Sequence, residues 1–101
     1  MAKFLFSVDY TTDGSKGLIK EGGSKRRAVV EKAVSKLGGT VEAFYFSFGK
    51  VDAIVIVDLP DSVTAAAVSL AVSASGAGSI STTPLLTPEE VDRACKKTVG
   101  Y

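Results

Sequence analysis

The chain has 101 residues, of which 46% are hydrophobic and 23% charged, and its net charge is +1. A chain of this length supports one domain with a single core, and so small a net charge supplies no field to draw nucleic acid or a membrane. It has no histidine and a single cysteine, which removes the Ser-His-Asp triad, the His-ligated haem, the facial-triad iron site, the tetrahedral zinc site and the internal disulfide; no metal or other cofactor is expected.

Lys3 to Tyr10 alternates as a strand, with Phe4, Phe6, Val8 and Tyr10 on one face and Leu5, Ser7 and Asp9 on the other. The apolar run at its start is too short for a signal peptide and meets an acid early, so a cytoplasmic location is expected, in keeping with an unpaired cysteine. Thr11 to Gly23 is punctuated by Gly14, Gly17, Gly22 and Gly23 and reads as a loop with a short helix near Ser15 to Lys20. Ser24 to Leu37 follows as an amphipathic helix, with Val29, Val30, Ala33, Val34 and Leu37 at helical spacing. Ser24 is its expected cap, and Gly38-Gly39 ends it.

Thr40 to Phe48 and Ala53 to Leu59 are the second and third strands, joined by a turn over Gly49 to Asp52. With Lys50-Val51 as a two-residue loop, Phe48 opposes Ala53, Phe46 opposes Val55, Phe44 opposes Val57, and Tyr45 opposes Ile56. Ala53 to Val57 reads Ala-Ile-Val-Ile-Val, apolar on both faces. A strand with one wet face alternates, so this run predicts burial on both sides. Two helices cover only one side, and a second copy of the chain is the expected cover for the other.

Asp61 opens the next helix, whose expected packing stripe is Val63, Ala66, Ala67, Leu70, Ala71 and Ala74, with Gly76 as its stop. No charged residue lies between Ser62 and Pro88, but Ser69, Ser73, Ser75, Gly76 and Gly78 interrupt the run and argue against a membrane span. Ser79 to Leu85 is a fourth strand. Thr87-Pro88-Glu89-Glu90 then starts a terminal helix with Val91, Ala94 and Cys95 on its apolar side. The order β-α-β-β-α-β plus a terminal helix predicts an α+β, ferredoxin-like four-stranded antiparallel sheet with two helices on one face.

Several side chains are candidate ligand contacts. Lys25, Arg26 and Arg27 occupy a helix's first turn, where positive charge opposes the dipole. Seven of the chain's twelve basic residues lie between Lys16 and Lys36, against Glu21 and Glu31 as acids. After Gly22-Gly23-Ser24 this resembles a cradle for an anion, either a ligand or the carboxylate of a neighbouring chain. The competing reading is a solvated face, or pairing with Asp9, Asp13 or Glu21. Tyr45, between the small Ala43 and Ser47, and Tyr10, at a strand end, are candidates to line a pocket between sheet and helices, orienting a ligand or, with a lowered pKa, transferring a proton; the competing reading is a core tyrosine whose hydroxyl finds a backbone partner. Asp52 and Asp58 are candidate bases if desolvated; otherwise Asp52 serves the turn, and Asp58 makes an interface salt bridge or interacts with the N-terminus of the following helix. Cys95 has no histidine to activate it and reads as a small hydrophobe.

The chain resembles the GYD family. The resemblance rests on Lys20-Glu21-Gly22-Gly23-Ser24 with Arg26-Arg27, Leu37-Gly38-Gly39, Phe44-Tyr45-Phe46 with Phe48-Gly49, Val57-Asp58-Leu59-Pro60, Thr82-Thr83-Pro84-Leu85-Leu86-Thr87 and Gly100-Tyr101. The family's Gly-Tyr-Asp motif sits at the hairpin turn, where this chain reads Gly49-Lys50-Val51-Asp52, with Val51 at the tyrosine position. The resemblance implies a dimeric α/β barrel made from two such sheets face to face, and no particular reaction. Two functions are therefore open: a small-molecule-binding or structural homo-oligomer, or a cofactor-independent monooxygenase- or isomerase-like enzyme acting on a small apolar or aromatic substrate.

Overall fold

The computed structural model describes Met1–Tyr101. In chain order the elements are β1 (Ala2–Tyr10), α1 (Thr12–Glu21), α2 (Gly23–Lys36), β2 (Thr40–Phe46), β3 (Ala53–Leu59), α3 (Ser62–Ser75), β4 (Gly78–Leu85) and α4 (Pro88–Cys95). One antiparallel sheet runs β2-β3-β1-β4. Its central pair places Phe4 opposite Val57, Phe6 opposite Val55 and Val8 opposite Ala53 on one face, and Leu5 opposite Ile56 and Ser7 opposite Ile54 on the other.

Every buried strand residue lies on the first of these faces. Phe4, Phe6, Val55, Val57 and Leu59 form the core with Val34 of α2 and Ala65 of α3. Burial along β3 alternates strictly, so a single chain buries only one side of its apolar strand. The opposite face carries Leu5, Ile54 and Ile56, all half-buried, and Tyr45, which is 71% exposed. It also carries a charged group at one end: Lys3 Nζ donates to Glu42 at 2.7 Å and to Asp58 at 3.0 Å. These two bonds, that to Glu42 foremost, raise the lysine's pKa above its ordinary value.

Five local expectations are corrected. First, the segment read as a loop with a short helix is a ten-residue helix, α1. Thr11 caps it, accepting from the Gly14 N–H at 3.2 Å. Its glycines mark close approach rather than a break: a Cβ at Gly14 would run into the Ala77 carbonyl. Second, α2 begins at Gly23 with Gly22 as its N-cap, at φ 86°, and no side chain caps it; Ser24 lies inside the helix.

Third, β2 ends at Phe46, and the register is shifted by two: Phe46 opposes Ala53, Tyr45 opposes Ile54 and Phe44 opposes Val55. The connection runs through Asp52, whose carbonyl accepts from the Ser47 N–H at 2.9 Å. Phe48 leaves the strand at φ 55° and stacks on Phe46 with ring centroids 5.9 Å apart. A shift of two keeps each side chain on its face, which is why Phe44 and Phe46 still point to the helix side.

Fourth, α3 packs through Ala65, Val68 and Val72, and the expected stripe faces outward, with Val63 and Leu70 exposed. Asp61 caps this helix, accepting from the Thr64 N–H at 2.8 Å. Fifth, α4 has the expected capping box of Thr87 and Glu90 but buries no residue, so Cys95 is exposed. With this helix and the tail unpacked, the protein measures 53 × 28 × 22 Å.

Candidate functional site

The feature with the shape of a site is a cleft of about 370 Å³ between α2 and α3, roofing the helix face of the sheet. Phe6, Val8, Ala53 and Val55 make its floor. Val29, Val30 and Ala33 of α2, with Leu37 at its C-cap, form one wall, and Val68 and Val72 of α3 the other. The amphipathic stripe of α2 is thus wider than the surface it packs: Val34 enters the core, while Val29, Ala33 and Leu37 face the cleft. Small side chains on both walls leave the space unfilled. The volume falls in the range of small-molecule sites, and the lining is apolar with few polar groups, as such sites are.

Those polar groups gather at one end, where Tyr10, Glu21, Arg26 and Ser75 join the lining. The Arg26 guanidinium lies over the Tyr10 ring, 5.5 Å from its centroid, a cation–π placement that fixes the side chain. Its side chain is 18% exposed, and its ion pair with Glu21 is long, at 3.5 Å. Burial pushes the Tyr10 phenol above its ordinary pKa of 10.0; the positive charge of Arg26 opposes this and the negative charge of Asp52 adds to it. The phenol therefore keeps its proton at neutral pH, and its oxygen accepts from the Arg26 guanidinium.

Asp52 stands behind this end of the cleft. Its carboxylate accepts from the Tyr10 N–H at 2.8 Å, and its own N–H donates to the Val8 carbonyl at 2.9 Å. These bonds pin the hairpin connection to the end of β1. They give Asp52 a positioning role beyond its own turn and occupy the carboxylate considered as a base. Asp58 is held by Lys3 on the far face of the sheet.

The fold brings Tyr10, Arg26 and Asp52 together and separates the other two candidates. Tyr45 projects from the open face of the sheet. Arg27 points away from the cleft, 3.8 Å from Glu31, and lines a smaller hollow with Gly23, Ser24, Phe44 and Phe46. Consecutive helix positions are about 100° apart, so two adjacent arginines cannot serve one site equally. Glu21 pairs with Arg26, as the competing reading of the basic cluster expects, and joins the lining of the cleft; Asp9 and Asp13 make no ion pair with the cluster. No group of three or more Cys, Asp or Glu side chains is arranged to hold a metal, and no helix is long and apolar enough to cross a membrane.

A βαββαβ chain with two helices on one face of a four-stranded antiparallel sheet, and a cleft between those helices, is a ferredoxin-like α+β domain. Within that class the chain belongs to the GYD family, whose domain matches residues 4–95. No curated protein and no solved structure matches it.

Proposed function

We propose that this domain binds a small apolar or aromatic molecule in the cleft between α2 and α3, and that it works as a homo-oligomer assembled through the open face of its sheet. The cleft carries the first part. Apolar floor and walls left open to water favour any occupant that removes them from it, at about 25 cal/mol per Å² covered. The second part rests on Leu5, Ile54 and Ile56, a contiguous apolar centre that no element of the chain buries. A second copy supplies a matching surface by symmetry.

Binding is favoured over catalysis because the polar groups at the cleft are engaged or poorly suited to move protons. Asp52 is hydrogen-bonded to the backbone, and Tyr10 holds its proton. The catalytic alternative rests on Tyr10 as a proton donor to a bound substrate.

Titration with the neutral fluorophore N-phenyl-1-naphthylamine tests the cleft. Saturable binding at one molecule per chain is expected. Ala33→Trp, which fills the cleft from its α2 wall, should abolish binding while preserving the circular dichroism spectrum. Equal binding by the filled variant places the probe elsewhere and removes the proposal's support.

A further inference from the structure

We infer that the cleft is selective for an amphiphile with an anionic head, its apolar body lying between α2 and α3 and its carboxylate or equivalent oxyanion held by Arg26. The inference rests on the cleft being a ligand site, and it adds the chemical class of the ligand.

The argument begins with the imbalance of donors and acceptors at the polar end. A guanidinium offers five N–H donors in a planar fork. Arg26 donates from Nη2 to Glu21, at 3.5 Å the limit of such a bond, and also reaches the Tyr10 phenol oxygen, which leaves most donors of the fork free. Tyr10, on the same rim, is a protonated phenol. Against these donors Glu21 is the one anionic side chain in the lining. It is twice as exposed as Arg26, at 37% against 18%, so an incoming carboxylate can displace it into water.

A further feature favours an anion. Arg26 is in the first turn of α2, whose N-cap Gly22 supplies no side-chain acceptor; because α1 ends at the same glycine, the two helix dipoles oppose here and the positive potential comes from the guanidinium itself. The apolar lining lowers the local dielectric and strengthens a charge-assisted hydrogen bond relative to one in water. The Tyr10 ring holds the guanidinium in place before a ligand arrives, which reduces the ordering needed on binding. Glu21 is then an internal competitor, occupying the arginine weakly when the cleft is empty.

The test compares octanoate, octanol and octylammonium by isothermal titration calorimetry; the tails are identical and only the head differs. Octanoate should bind about tenfold more tightly than octanol, the effect of one good charge-assisted hydrogen bond, and octylammonium most weakly. Arg26→Met should bring the octanoate-to-octanol ratio to about one, and Arg26→Lys should leave it intermediate because the fork is lost while the charge remains. Glu21→Gln, an exposed change that does not depend on the arginine variants folding, should raise octanoate affinity severalfold. Octanol binding as tightly as octanoate, or Glu21→Gln leaving octanoate affinity unchanged, overturns the head-group inference while the cleft remains a site. Failure of all three compounds to bind overturns the cleft as well.

Discussion

The two faces of β3 can be separated by lysine substitutions at adjacent positions. Val57 is fully buried on the helix face, opposite Phe4 and Val41, and is outside the cleft lining. Val55 is a poorer choice, because it borders the cleft and a lysine there has a route to water. An ammonium at Val57 has no such route and no carboxylate opposite it. Its effective desolvation is several kcal/mol, on top of about 1–2 kcal/mol of lost valine burial. Domain stabilities are roughly 5–15 kcal/mol in total, so Val57→Lys should leave the chain largely unfolded.

Ile56 faces the other way, opposite Leu5 and Ala43, with Asp58 two residues along the same face. A lysine there reaches solvent and gains an acidic neighbour, so the folded monomer should lose no more than about 1 kcal/mol. The same charge at the centre of a subunit interface removes several kcal/mol of association energy. Circular dichroism with urea unfolding reads the first effect, and light scattering after gel filtration the second. Val57→Lys should fail the first assay. Ile56→Lys should pass it and elute as a folded monomer beside an oligomeric wild type. A wild type that is monomeric at micromolar concentration, or an Ile56→Lys variant that keeps the wild-type mass, refutes the interface. An Ile56→Lys variant as unfolded as Val57→Lys refutes the assignment of faces.

Gly14→Ala should lower the urea midpoint by the equivalent of about 1–3 kcal/mol, because the new methyl meets the Ala77 backbone carbonyl, whereas Gly49→Ala, whose nearest neighbour is the Ser47 hydroxyl at 3.6 Å, should be close to neutral. Tyr10 has a folded pKa above its unfolded value of 10.0, so its contribution to stability is complete below that pH and is lost as pH rises through the folded value; Tyr10→Phe should flatten the alkaline arm of the melting temperature plotted against pH. Asp61 is shifted the other way, lowered from 3.8 chiefly by the Thr64 N–H, so its contribution is present above 3.8 and is lost as pH falls through the folded value. Asp61→Asn caps without titrating and should flatten the acid arm of the same plot; an unchanged acid arm would assign acid unfolding to other carboxylates.

Much of the fold is legible in the sequence because its signals are local. The period of β1, the cap at Asp61, the capping box at Thr87 and the glycine stop of α2 each involve a few neighbouring residues. Local signals also explain the misreadings. Glycine is the same letter whether it ends a helix or, as at Gly14, lets a helix pass close to another backbone. On α3, valine, leucine and alanine occur all round, so periodicity could not choose Ala65, Val68 and Val72 over the outward stripe. A two-residue Lys50-Val51 loop misplaces the hairpin register, because the chain spends more residues there and turns Phe48 out at positive φ. The cleft was the least legible feature. It arises from the spacing of two helices distant in sequence, and the difference between Arg26 and Arg27 follows from which of them faces that space.

The cleft and the open face are two sides of one structural fact. β3 is apolar on both faces from Ala53 to Val57, β1 adds Leu5 to its otherwise polar second face, and adjacent residues point to opposite sides of the sheet. Phe6 and Val55 form the cleft floor, while Leu5 and Ile56, their sequence neighbours, form the centre of the open face. A sheet of this kind keeps apolar surface exposed unless both sides are covered, and one chain supplies α2 and α3 to one side only. Those helices are rich in valine and alanine along their facing sides, so they cover that side without closing over it. Larger residues there would complete the core of the single chain and eliminate the cleft. The small side chains leave the monomer with two apolar surfaces, one concave and one broad. The concave surface has an arginine at its end and is the size of a small molecule. The broad one has no such pocket, and is suited to another sheet. The same small side-chain volume underlies both halves of the proposal, the ligand in the cleft and the second copy on the open face.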